Sequence, residues 1–147
     1  MALVERAAPP DRPDVERLIA AYHASEGVKP RPERISWAVD QILRNRVGGL
    51  LLVAREKRIV VGVALAVYQT SAELGRLLVV NDFFVEPALR RKGIGRALAT
   101  KILEEAKAMH IDQIDLEVLP TNTPAAAFWK SLGFRNTGRT IYSREFA

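Results

Sequence analysis

Val79-Val80-Asn81-Asp82-Phe83-Phe84-Val85-Glu86-Pro87-Ala88-Leu89-Arg90-Arg91-Lys92-Gly93-Ile94-Gly95-Arg96-Ala97-Leu98 is the most informative stretch of this 147-residue chain. Leu77 to Val85 is an apolar strand pattern, and Pro87, which has no N–H for a ladder, ends it. A basic turn with two glycines then opens a helix, with Ile94, Leu98, Ile102 and Ala106 in register to about Met109. The first N–H groups of a helix lack internal partners and stand at the positive end of its dipole, so they form an anion site. Gly93 and Gly95 remove side chains where a phosphate must approach the backbone. Arg90, Arg91, Lys92 and Arg96 add positive charge at the same place. The physical reading is a cradle for a pyrophosphate. It differs from the dinucleotide fingerprint and the P-loop: there is no Gly-x-Gly-x-x-Gly and no Gly-Lys-Ser/Thr.

Upstream, Leu3 to Ala7 reads as a short strand ended by Pro9-Pro10, and Asp11 as a helix cap. Val15, Leu18, Ile19 and Tyr22 recur at helical spacing until Glu26-Gly27. A second helix follows Pro32, with Ile35, Ala38, Val39, Ile42 and Leu43 on one face, and Gly48-Gly49 breaks it. Leu50 to Ala54 and Ile59 to Tyr68 flank the charged turn Arg55-Glu56-Lys57-Arg58, a hairpin pattern.

Downstream, Ile114, Leu116 and Val118 alternate with Asp115 and Glu117, a strand pattern. Thr123-Pro124 is a cap followed by proline, and that helix runs to Leu132 before Gly133. The tail from Phe134 to Phe146, rich in Thr, Tyr, Phe and Arg around Gly138, reads as a final hairpin. The order is β-α-α-β-β-β-α-β-α-β-β. Hairpins and one strand–helix–strand crossover make the class α+β, a mixed sheet covered by helices.

Bulk properties narrow the function. Hydrophobic residues are 48% and charged residues 27%, the balance of a globular chain, and residues 1–147 read as a single domain. There is no cysteine, hence no disulfide framework and no thiol nucleophile. His23 and His110 lie in no ligand motif, so no metal is expected. No run of about 18 apolar residues occurs, so no membrane span is expected and a cytoplasmic location is the default. The net charge of +5 suits an anionic partner. A nucleic-acid domain is the weaker reading of that charge: no recognition motif is present, and the clustered cations already have a phosphate to bind.

Arg90-Arg91-Lys92-Gly93-Ile94-Gly95 resembles the Arg/Gln-x-x-Gly-x-Gly/Ala motif of the GNAT superfamily of acyltransferases. Asn122-Thr123-Pro124-Ala125-Ala126-Ala127-Phe128-Trp129-Lys130-Ser131-Leu132-Gly133-Phe134 is similar to that family's later block, Asn-x-x-Ala-x-x-x-Tyr-x-x-x-Gly-Phe. The resemblance implies a GNAT fold: a central, mostly antiparallel sheet, splayed between its fourth and fifth strands, with helices on both faces. It implies acetyl-CoA as acyl donor, its pantetheine arm pairing with the backbone of Phe83 and Val85. Arg90, Arg91, Lys92, Gly93, Gly95 and Arg96 would surround the pyrophosphate, and Asn122, Phe128 and Trp129 would line the cofactor site.

The implied reaction is direct attack of a neutral amine on the thioester carbonyl, which needs a proton acceptor and an oxyanion donor. A main-chain N–H near Val85 is the candidate donor. Asp82 is the first carboxylate candidate for the base, against a role in bonding a strand end or a nearby loop. Glu117 is a second candidate; Glu26 and Asp40 either hold a cationic acceptor or are surface charges.

The chain departs from the family pattern at two places. Trp129 stands where a tyrosine often donates to the leaving thiolate, and Asn81 stands where some relatives carry glutamate. Trp129 either packs against the cofactor arm or donates its indole N–H, and Tyr142 is the candidate acid in its place. The acceptor is expected to be a primary amine on a small molecule or peptide. A non-catalytic acyl-CoA-binding regulatory module is the alternative. The assembly state is left open, a homodimer included.

Overall fold

Two apolar runs in mid-chain are continuous because they are buried on both faces. They form β2 (Gly49–Glu56) and β3 (Ile59–Ser71) in the computed structural model, which describes residues 2–146. Leu51, Val53, Val63 and Leu65 point to one face. There they meet Val15, Leu18 and Ile19 of α1 (Arg12–Ser25) and Ile35 and Val39 of α2 (Pro32–Leu43). The intervening Leu50, Leu52, Ala64 and Ala66 meet Leu98, Ile102 and Ala106 of α3 (Ile94–Ala108) on the other face. Lys57 and Arg58, with φ of 51° and 69°, form the two-residue connection, whose left-handed pair matches the twist of the hairpin.

The sheet runs in the order β1-β2-β3-β4-β5, with β1 at Leu3–Arg6, β4 at Gly75–Val85 and β5 at Gln113–Leu116. The first three pairings are antiparallel, and β4 with β5 is parallel across the α3 crossover. This is the mixed, mostly antiparallel sheet with helices on both faces that the sequence implied. The β3–β4 ladder continues to Gly62–Val85, whereas the β4–β5 ladder stops at Val80–Leu116. The last five residues of β4 therefore run on past the point where β5 leaves, which is the expected splay.

The same place carries a bulge. Ala66 pairs with Val80 and Leu65 with Asp82, so Asn81 is the extra residue. The bulge shifts the parity of β4. Leu78 and Val80 lie on the α3 face, but Phe84 lies on the α1–α2 face. Unbroken alternation would have put all three on one side.

The chain divides at Leu116, and residues from Glu117 onward form a second compact unit. Its helix α4 spans Thr123–Ser131. The cap is Asn122, not Thr123: its Oδ1 accepts from the Ala125 N–H at 3.2 Å. At the other end Gly133, with φ of 92°, donates to Lys130 O, and Phe134 donates to Trp129 O, both at 3.0 Å. This is a Schellman stop, and the Trp129 and Phe134 rings, 5.1 Å apart, supply its usual apolar contact. The Gly133-Phe134 pair thus has a helix-ending function of its own.

Two further expectations need correction. Residues 134–146 form no strand among the described residues, so the final hairpin is absent. Nearly all of that segment is exposed, and a lone hairpin without a buried face is marginal in water. Asp11 does not cap α1 by its side chain; its carboxylate accepts from the Ala8 N–H and the Arg55 guanidinium, each at 2.8 Å.

Candidate active site

After the bulge, Asp82 faces the helix pair, and the partner it meets is His23 near the end of α1. His23 Nε2 lies 2.7 Å from Asp82 Oδ1. The two side chains keep 29% and 13% of their exposure, so the pair is sheltered but reachable. Burial holds the Asp82 carboxyl above its ordinary value of 3.8, while the bond to His23 and its charge pull the other way. A raised carboxyl favours the protonated folded state. Its contribution to stability is present below pH 3.8 and lost as pH rises through the folded value. Asp82→Asn is therefore expected to gain stability on the parent as pH rises through that window, the difference vanishing at lower pH. Paired thermal melts across pH check it; a difference independent of pH would contradict it.

The end of β4 is arranged by alternation. Glu86 N–H donates to Val61 O at 2.9 Å, so Phe84 and Glu86 turn their main-chain groups toward β3. Phe83 and Val85 turn theirs to the opposite edge, where the strands part. The Val85 carbonyl accepts from Arg90 Nε at 2.9 Å, and the Arg90 guanidinium lies 5.0 Å from the Phe84 ring centroid. Arg90 thus folds back to close the strand end, a position the sequence did not suggest.

Arg91 and Gly93 have φ of 65° and 82°, and Gly93 sits at the mouth of α3 with no side-chain cap. A Cβ at Gly93 would meet nothing within 4 Å, so the glycine is required by the backbone angle and not by crowding. Arg91, Lys92 and Arg96 are exposed around this helix start. One strand, β4, therefore links a carboxylate–imidazole pair to a cationic helix N-terminus.

The other candidates have settings of their own. Asp40 is bound by Arg12 and Arg44, each at 2.9 Å, and the Arg12 bond holds its carboxyl below the usual range. It joins α1 to α2 and is committed there. Glu26 accepts from the Tyr22 hydroxyl at 3.3 Å. In the second unit, Asn122 serves as the cap, and Trp129 is buried edge-on to Phe128, at 5.0 Å, and to Phe134. Glu117 is exposed and follows the end of β5. Tyr142 is 93% exposed in the strandless tail, not on the strand expected to carry it.

His23 is the residue that sequence reading passed over. The signal was available: Val15, Ile19 and His23 recur every four residues along the buried face of α1. A histidine continuing an apolar stripe needs a polar partner, and 59 residues separate it from that partner.

The model of the acetyltransferase (GNAT) family matches residues 13–134. Thialysine N-epsilon-acetyltransferase of Bos taurus is 35% identical over 74 residues, 50% of this chain and 44% of that protein. Mycothiol acetyltransferase of Segniliparus rotundus is 29% identical over 127 residues, 79% of this chain and 44% of that protein. The chain spans less than half the length of these curated relatives. A solved structure described as a possible acetyltransferase from Clostridium difficile superposes with a TM-score of 0.85 at 21% identity, covering 100% of this chain and 99% of that one. An aminoglycoside N-acetyltransferase solved in complex with CoA gives 0.82 at 16% identity, covering 100% and 96%. The matched span includes both the Arg90–Gly95 turn and the Asn122–Phe134 block, and the chain belongs to the acetyltransferase (GNAT) family.

Proposed function

We propose that this chain is an acetyl-CoA-dependent N-acetyltransferase that acylates a primary amine of a small molecule or peptide by direct attack. One observation carries the reading: β4 parts from β5 beyond Val80 and leads, within a few residues, to the Gly93 entrance of α3. An acyl-CoA has matching parts, an amide-bearing arm for a strand edge and a pyrophosphate for a helix start. In this reading the arm pairs along Phe83 and Val85, and the Val85 N–H faces the thioester oxygen. Gly93, Gly95, Arg91, Lys92 and Arg96 hold the pyrophosphate, while Arg90 supports them by closing the strand end.

No dedicated acid is assigned. Tyr142 is exposed and Trp129 is packed among rings. A thiol with a pKa of about 8.5 is a tolerable leaving group when water reaches it. Residues 1–147 act as a single catalytic domain in this reading, supported by a family match that crosses the Leu116–Glu117 division. A cytoplasmic setting fits the donor; among the described residues no helix is long and apolar enough to cross a membrane.

Acetyl-CoA is expected to stabilise the fold. At about 100 times its dissociation constant it contributes about 2.7 kcal/mol, readable as a rise in Tm. Turnover is tested by free-thiol release over an amine panel that includes thialysine, diamines, aminoglycosides and lysine peptides, since relatives are named for the first and third of these classes. No thermal shift at millimolar acetyl-CoA would overturn the reading. A shift with no thiol release from any amine would instead favour a non-catalytic acyl-CoA-binding module.

A further inference from the structure

Resting on that acyl-transfer reading, we propose that His23 accepts the proton of the attacking amine and that Asp82 is its positioning residue. The bulge at Asn81 turns Asp82 to the face of the sheet that α1 covers, and α1 brings His23 Nε2 to 2.7 Å from its Oδ1. The pair stands on the segment of β4 that runs on past the β5 ladder, beside the strand edge assigned to the thioester.

An ionised carboxylate only accepts, so Nε2 carries the hydrogen and donates it to Asp82. That fixes the tautomer with the lone pair on Nδ1, and Nδ1 becomes the base. The carboxylate also stabilises the imidazolium that forms. α1 has other ties to β4 and its continuation. Arg17 already bonds Glu86 at 2.7 Å, and the Tyr22 ring lies 6.2 Å from that of Phe84.

The surrounding charges leave the role to the pair. On α1 and at its C-cap the titratable neighbours are Tyr22 and Glu26, which are bonded to each other. From β4 and its continuation come Asp82, Glu86, held by Arg17, and Arg90, held by the Val85 carbonyl. β3 contributes the apolar Val63 and Leu65 to this face. α2 contributes Ile35 and Val39, with Asp40 bound by Arg12 and Arg44.

The step balances without a co-reactant. The ammonium form of the acceptor gives one proton to His23 Nδ1, which passes it to water. The freed nitrogen pair forms the C–N bond at the thioester carbonyl, and the C–S bond breaks with its electrons on sulfur. The nitrogen gives its second proton to water, and the thiolate takes a proton from water to become CoA thiol, so the net release is one proton.

The test uses the full chain, acetyl-CoA and the best amine of the panel. His23→Gln keeps an amide N–H for Asp82 but has no titratable nitrogen. It is expected to lower kcat by about a hundredfold or more, to remove the acid limb of the pH–rate profile, and to leave the acetyl-CoA thermal shift unchanged. Asp82→Asn keeps an acceptor for Nε2–H but loses the charge. It is expected to lower kcat less, with the acetyl-CoA thermal shift unchanged, because the imidazolium that forms loses its anionic partner. A pair that only ties α1 to β4 would change Tm and leave the profile in place. Parent-like kcat and pH profile in His23→Gln would overturn the inference alone. If the parent protein binds acetyl-CoA but acylates no amine, the underlying reading fails and the inference falls with it.

Discussion

Gly95→Glu is expected to weaken CoA binding by more than about a hundredfold, a loss of at least about 2.7 kcal/mol, while the protein stays folded. Gly95 is the second residue of α3 and sits within the helix start that the cationic turn surrounds. A carboxylate there occupies the approach of the pyrophosphate and repels it. The helix itself gains: glutamate is a better helix former than glycine, and a negative charge suits the first turn. Titration calorimetry with CoA and a thermal melt separate the two effects. An unchanged affinity would remove this turn from the binding site, and a collapse of the melt would show that Gly95 is required by packing.

Phe84→Ala is expected to have the largest effect on stability. Phe84 is 6% exposed and belongs to the core between the sheet and the α1–α2 pair. Truncating a buried phenylalanine costs about 3–5 kcal/mol, which at this chain length lowers Tm by roughly 6–20 °C. The ring is also the platform under Arg90. Phe84→Leu refills most of the volume and should recover most of the stability, short by about 0.5–1 kcal/mol for the lost cation–π contact. A loss below about 1 kcal/mol for Phe84→Ala would mean that the site closes around the missing ring.

The elements that sequence made legible are those whose burial is periodic. Val15, Leu18 and Ile19, the Leu50–Ala54 run and the Ile94–Leu98–Ile102–Ala106 stripe announce their faces through spacing alone, and all are buried. The turn at Gly93 was legible through its glycines and clustered cations, and the structure adds the left-handed backbone angle that Gly93 adopts. Three features were not. The bulge at Asn81 is a matter of register between two strands, and no local propensity records it. The Asp82–His23 bond joins residues whose separation in sequence carries no periodic signal. The tail shows strand-like composition, but composition reflects a preference for a half-buried pleat, and residues 135–146 are exposed. Arg90 adds a contact that no motif records: its guanidinium bonds the Val85 carbonyl and lies over the Phe84 ring.

The double burial of β2 and β3 has a cost outside the native state. Leu50–Ala54 and Val60–Ala66 are uncharged, free of proline and rich in residues that favour strands, the signature of segments that stack between chains. During synthesis both emerge before Ile94, where the helix that covers one of their faces begins. Heating exposes both again. Arg55, Glu56, Lys57 and Arg58 stand between the two runs and act as gatekeepers, because stacking copies in register would bring like charges together. Recovery after heating is thus a race between refolding and association, set by protein concentration more than by the depth of the native minimum.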